Sequence, residues 1–142
     1  MIHFLFVFNR QSKSRLSRWY SAASAAERAK AEGELMRLIL ARDSRHTNFI
    51  EYRQYKVVYR RYAGLFFAAC VDVNDNELSI LEFIHLFVEL LDGYFGNVCE
   101  LDLVFRFDRC YGILDEIILG GEVAEVNINA LLPILKAQDR FE

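Results

Sequence analysis

The first seventy residues contain apolar runs whose spacing predicts β-strands. From Met1 to Phe8 both alternating sets of side chains are largely apolar, so this strand is expected to be covered on both faces and to lie centrally in its sheet. Residues 9–13 are typical of a turn, and residues 14–20 alternate like a partly exposed second strand. The two segments together predict a β-hairpin.

Three more strands are predicted further along the chain, over residues 48–53, 56–61 and 65–71. They are rich in aromatic and β-branched side chains, which favour extended structure. Gly64 stands between the last two and permits the tight reversal that an antiparallel pair needs.

A first helix is predicted between the hairpin and these three strands. Ser24 and Glu27 have the spacing of a capping box, in which each residue satisfies a backbone N–H of the other. Apolar side chains then recur at helical intervals, and the pattern ends at about Arg42.

The second half of the chain predicts mainly helices. Residues 74–76 offer N-caps for a second helix that Gly96 can end. The segment 99–119 fits both an alternating and a helical pattern, and its length favours a helix. A short last helix is expected from about Asn129, with Pro133 near its start. The order is ββαβββαα with a helical tail, an α+β fold.

Composition limits the classes of protein to which the chain could belong. Its 142 residues are expected to form one domain, 1–142. Apolar residues make up 54% of the chain against about 45–50% in soluble domains, and we expect part of this excess to lie in an interface. A net charge of −3 gives no overall basic field, so no nucleic-acid partner is expected and any membrane contact is local or indirect.

Cysteine usage and hydropathy suggest a compartment. Cys70, Cys99 and Cys110 form no C-x-x-C pair and lie in apolar segments, as buried free thiols do, which favours a reducing, cytosolic setting. The N-terminus lacks a basic n-region and a small-residue cleavage site, and the chain has no apolar run of about 18 residues. We expect a protein that is neither secreted nor membrane-spanning.

Motifs that carry catalysis or metal binding are absent from the sequence. There is no nucleophile elbow, P-loop, dinucleotide fingerprint or zinc-protease motif, so neither an enzyme nor a cofactor is predicted. His3, His46 and His85 fall on different predicted elements and predict no metal site. Residues 72–77 are rich in oxygen donors but lack the Gly and Glu of a calcium loop, so a turn with a helix cap is the better interpretation.

Basic residues cluster at two places. Arg10, Lys13, Arg15 and Arg18 lie on the first hairpin, and Arg60 and Arg61 adjoin near the end of the fourth strand. Such clusters are usually solvated faces or salt-bridge partners. A local anion site is the functional alternative.

Five motifs carry a resemblance to a known family. They are N-R-Q-x-K-x-R-L-x-R-W-Y at 9–20, H-T-N-F-I-E at 46–51, Y-R-R-Y-A-G-L-F-F at 59–67, C-V-D-V-N-D-N at 70–76 and N-V-C-E-L-D-L-V-F at 97–105. With them, the chain resembles over its whole length the small, or sigma, subunits of heterotetrameric clathrin adaptor complexes.

The resemblance implies a longin-like fold, with a five-stranded antiparallel sheet between helices and a helix after Cys99. It implies no enzymatic activity and no cofactor. The implied partners are a large adaptin (alpha or gamma), a second large subunit (beta) and a medium subunit (mu), with clathrin and the membrane contacted through the complex. The 46–49 and 70–76 motifs favour the endocytic, alpha-containing type at plasma-membrane coated pits, and other segments resemble the gamma-containing Golgi and endosomal type.

The resemblance also implies a site for acidic dileucine signals, [DE]xxxL[LI], in the cytosolic tails of membrane cargo. The residues matching the family's two leucine pockets are Ala63, Leu65, Val88, Asn97, Val98 and Leu103. Arg15 matches the basic residue that faces the signal's acidic side chain. Ser12 replaces the glycine usual in the first turn, which is expected to alter that turn and to move Arg15. For Leu65, Val88 and Leu103 the alternative is ordinary core packing. For the protein the alternative is a purely structural longin-fold subunit without a cargo site.

Overall fold

The structure, a computed structural model, describes residues 1–43, 45, 47–119, 121–123 and 128–140. His46 and its part of the second motif lie outside these residues. The strands are β1 (Ile2–Asn9), β2 (Ser14–Trp19), β3 (Phe49–Tyr52), β4 (Tyr55–Tyr62), β5 (Leu65–Asp72), β6 (Ile118–Leu119) and β7 (Glu122–Val123). The helices are α1 (Ala25–Leu40), α2 (Glu77–Phe95), α3 (Glu100–Phe105), α4 (Phe107–Ile117) and α5 (Ile128–Arg140).

The first five strands form one antiparallel sheet in the order β2-β1-β5-β4-β3. β1 pairs with β2 on one side and with β5 on the other, which confirms the central position expected for a strand that is apolar on both faces. The predicted α+β, longin-like fold is confirmed.

Two hydrophobic cores lie on opposite faces of this sheet, and β1 contributes to both. Leu5 and Val7 pack with residues of α2, α3, α4 and α5. Phe4, Phe6 and Phe8 pack with α1 on the other face. Because side chains alternate along a strand, one continuous apolar run can fill both cores.

Polar caps begin the two long helices where the sequence places them. The Ser24 hydroxyl accepts from the Glu27 N–H at 3.2 Å, and the Asn76 side chain accepts from Leu78 N–H at 2.9 Å. Asn76 therefore serves as a helix cap, in agreement with the interpretation of residues 72–77 as a turn. α2 buries Ile80, Phe83, Ile84, Phe87, Val88, Leu90 and Leu91, largely at helical spacing.

Three sequence expectations are corrected. The segment after Cys99 is two helices, because Arg106 leaves helical geometry at φ −126° and ψ 40°, and a two-strand hairpin, β6–β7, follows them. Pro133 lies in the second turn of α5, beyond the first turn where its missing N–H costs nothing. Cys99 is exposed, because it precedes α3 at a turn, whereas Cys70 and Cys110 are buried as expected.

Candidate functional site

The β4–β5 hairpin supplies the first part of the candidate site. Tyr62 pairs with Leu65, so only Ala63 and Gly64 connect the strands. Both have positive φ, 49° and 83°, as in the two-residue turns that match strand twist. The turn leaves Ala63 exposed and directs Leu65 into the core, where it is 3% exposed.

The apolar part of the site is one packed cluster. Leu65, Val88 and Leu103 come from β5, α2 and α3 and belong to the same core, and Val98 is half-buried against that core. Leu103 is fully buried and Val88 is 5% exposed. The structure therefore gathers these apolar residues in and against one core, and this core is shielded from solvent in the free chain.

The turn between α2 and α3 positions Val98. Gly96 and Asn97 adopt left-handed backbone conformations, at φ 68° and 71°, and reverse the chain after α2. The backbone carbonyl of Asp92 accepts from the N–H groups of both, at 2.8 and 3.2 Å. Its side chain accepts from Val98 N–H at 2.9 Å. Asp92 thus fixes the path of the chain that presents Val98 and leaves Asn97 exposed.

Arg15 is held by a carboxylate at the start of α3. Its Nε donates to Glu100 Oε1 at 2.8 Å, and Asn9 Nδ2 donates to the same oxygen at 2.6 Å. The hydrogen bond from Arg15 is the main cause that lowers the pKa of Glu100, and the bond from Asn9 contributes next. Glu100 is therefore ionised at neutral pH and pairs with Arg15.

The first turn forms despite the serine at position 12. Ser12 takes a φ of 60°, the left-handed conformation that glycine would adopt there. The Asn9 side-chain oxygen accepts from Gln11 N–H at 2.9 Å and Lys13 N–H at 3.0 Å, which ties the turn together. The turn thus retains a left-handed residue at this position, and Asn9 links it to the Glu100–Arg15 pair.

Sequence reasoning missed both Asp92 and Glu100. An acidic residue near the C-terminal end of a helix is unfavourable to the helix dipole, so Asp92 carried a detectable signal of a special role. Glu100 lies within the 97–105 motif that carries the resemblance, but its pairing with Arg15 spans 85 residues and leaves no local pattern.

Comparison with known proteins supplies the family. The family model of the clathrin adaptor complex small chain matches residues 1–142. The chain belongs to the clathrin adaptor small-chain family.

The relatives carry related names. The AP-2 complex subunit sigma of Neurospora crassa is 54% identical over the full length of both chains, and that of Dictyostelium discoideum is 52% identical over 99% of each. The AP-1 complex subunit sigma-2 of Arabidopsis thaliana is 51% identical over 99% of this chain and 87% of that protein. A chain from a homology model of the full-length AP-3 complex in a stretched open conformation aligns with a TM-score of 0.79 at 29% identity, over 99% of this chain and 95% of that one.

Membership identifies a sigma subunit of a multi-subunit clathrin adaptor, with a role in vesicle transport that follows from the family. Members of this family are coat and cargo adaptors rather than enzymes. Within the described residues, no three metal-ligating side chains converge, and no helix is long and apolar enough to cross a bilayer.

An adaptor small chain must contact other subunits, and the surface of α3 and α4 has the corresponding character. Leu101, Phe105 and Phe107 are 62%, 76% and 55% exposed. Leu101 and Phe105 are four residues apart on α3 and so share one helical face, and clusters of exposed large apolar side chains mark protein interaction surfaces. This supports the expectation that part of the apolar excess lies in an interface.

Another member of the hairpin's basic cluster, Arg18, forms a structural ion pair. Arg18 donates to Asp115 of α4 at 2.8 Å, and its guanidinium lies 4.5 Å from the centre of the Tyr111 ring. The Tyr111 hydroxyl in turn accepts from Ser17 N–H at 2.7 Å. Arg18 and Ser17 therefore hold β2 against α4, as the salt-bridge interpretation of the cluster predicted.

Proposed function

We propose that this chain is the sigma subunit of an endocytic clathrin adaptor and binds acidic dileucine signals. The leucines would contact Ala63, Leu65, Val88, Asn97, Val98 and Leu103, and the acidic residue would contact Arg15. The observation that carries the proposal is the link through Glu100. This residue holds Arg15 and lies only two residues after Val98, which packs on the apolar cluster.

The spacing of the signal fits this arrangement. Two residues of extended chain span at most about 7 Å, so the backbone of Glu100, whose side chain binds Arg15, lies close to that of Val98. The acidic residue and the first leucine of [DE]xxxL[LI] are four positions apart, or at most about 13–14 Å. A single peptide could therefore reach both the charge and the apolar cluster.

The expected affinity is low. Burial of each leucine is worth about 1.5–3 kcal/mol, and an exposed ion pair adds about 0–1 kcal/mol. Ordering each flexible side chain costs about 0.5–1.5 kcal/mol. A lone signal should then bind no tighter than about micromolar, and capture at a membrane would rely on several contacts acting together.

The assembly is also part of the proposal. The large partner would be an alpha adaptin, with gamma as the alternative, and beta and mu subunits would complete the heterotetramer. The AP-2 names of relatives at 52–54% identity favour the plasma-membrane type, although an AP-1 relative follows at 51%. Residues 1–142 would act as a single domain, since one five-stranded sheet carries both cores.

The test measures binding of a fluorescent acidic dileucine peptide to the purified heterotetramer. Val98→Ser removes apolar contact at the half-buried edge of the cluster and should weaken binding about tenfold or more, since about 1.4 kcal/mol corresponds to tenfold. Val73→Ser makes the same chemical change at a position that is 57% exposed before α2 and should not alter binding. Gel filtration confirms that both variants assemble. Equal binding by the two variants would refute the site.

A structural subunit without a cargo site is the second candidate function. The near-complete burial of Leu65, Val88 and Leu103 favours it, because these side chains are already removed from solvent in the free chain. In that case the heterotetramer assembles and binds the dileucine peptide no better than a peptide with both leucines replaced by serine.

A further inference from the structure

Glu100 already binds the Arg15 guanidinium, which the carboxylate of a cargo signal would need. A guanidinium binds a carboxylate most strongly through two parallel N–H donors. Arg15 Nε is already committed to Glu100 Oε1 at 2.8 Å. An incoming carboxylate thus cannot use the side of Arg15 that includes Nε while Glu100 stays in place.

The pair is built into the fold. Asn9 is 5% exposed and donates to the same Glu100 oxygen at 2.6 Å, while its own side-chain oxygen holds the first turn. Glu100 also begins α3, where a negative charge is favoured by the helix dipole. Hydrogen bonds from both Asn9 and Arg15 therefore hold the Glu100 carboxylate in place.

We propose that Glu100 is an internal competitor for Arg15 and sets how strongly the acidic residue of a dileucine signal contributes to binding. This inference rests on the proposed function. The ligand carboxylate must displace Glu100 or accept a second negative charge beside it. The leucines of the signal would make no contact with Arg15, so their contribution to binding does not depend on Glu100.

Glu100→Gln tests the competition with little change of shape. The glutamine keeps a carbonyl oxygen that can accept from Asn9 and Arg15, but it loses the negative charge. Affinity of the purified heterotetramer for the acidic dileucine peptide should rise about two- to fivefold, the range measured for exposed ion pairs. Affinity for a peptide with glutamine at the acidic position should stay the same. The gain should shrink at high salt, because it depends on an exposed charge pair.

Glu51→Gln is the matched control. Glu51 is exposed on β3, at the opposite edge of the sheet from β2 and Arg15. This variant makes the same change of net charge and should bind both peptides like the unmodified complex. A gain in Glu51→Gln equal to that in Glu100→Gln would mean that overall charge causes the effect, which overturns the inference.

The remaining outcomes separate this inference from the proposed function. If Val98→Ser abolishes binding and Glu100→Gln leaves it unchanged, the cargo site stands and competition is refuted. If Glu100→Gln weakens binding of the acidic peptide, Glu100 orients Arg15 for the ligand and does not compete with it. If the unmodified complex binds neither peptide, the proposed function fails and the inference fails with it.

Discussion

Asp92→Ala should impair peptide binding more than it impairs folding. The substitution removes the acceptor of the 2.9 Å bond from Val98 N–H but keeps the backbone carbonyl that accepts from Gly96 and Asn97. The bond is exposed, so its loss should cost about 1 kcal/mol of stability. Removing a negative charge near the end of α2 returns about 0.3–1 kcal/mol. The net change in the free energy of unfolding should then be less than about 1 kcal/mol.

Binding should respond more strongly, because Val98 must be ordered when the ligand arrives. Ordering a mobile segment costs about 0.5–1.5 kcal/mol, which corresponds to a loss of affinity of about two- to tenfold. Asp92→Asn keeps an acceptor for Val98 N–H and should bind nearly normally. The assay is peptide titration of the heterotetramer together with denaturant unfolding. Equal weakening by Ala and Asn would show that charge, and not the hydrogen bond, is responsible, and would refute the reasoning.

Two further predictions concern other groups. Cys99 is exposed beside Val98, whereas burial raises the pKa of Cys70 and of Cys110 to about 12. Alkylation at pH 8, mapped by mass spectrometry, should therefore modify Cys99 alone among the three, and more slowly with dileucine peptide bound; equal rates with and without peptide would contradict the site. Burial raises the pKa of Glu32 above its ordinary value of 4.5, and this effect outweighs the hydrogen bond from Ser17, which lowers the pKa. The ionised carboxylate then destabilises the fold above its folded-state pKa, so Glu32→Gln should raise the melting temperature at pH 7, with the difference vanishing below about pH 4.5. An equal difference at both pH values would contradict this cause.

The order of elements could be predicted because local patterns determine it. β1 is apolar on both faces since it fills two cores, and Ser24 and Asn76 satisfy the first N–H groups of their helices. The break at Arg106 could not be predicted, because the residues on either side share one helical pattern and no Gly or Pro adjoins Arg106.

The candidate site could be predicted only in part. The resemblance proposed Arg15 and the apolar residues, and the structure places Leu65, Val88 and Leu103 in one core with Val98 packed against it. The resemblance gave no indication that Leu65, Val88 and Leu103 are buried in the free chain. Pairing of Arg15 with Glu100 depends on how α3 packs against β2, which no sequence window contains.

The double-sided sheet also has a practical consequence for labelling experiments. The candidate site is built on the face that carries α2 and α3, while α1 covers the other face. Lys30 is exposed on α1, so a dye or tether attached there would be separated from the peptide by the full thickness of the sheet. A reporter at this position could follow recruitment of the subunit to a vesicle without occupying the face that carries the candidate site.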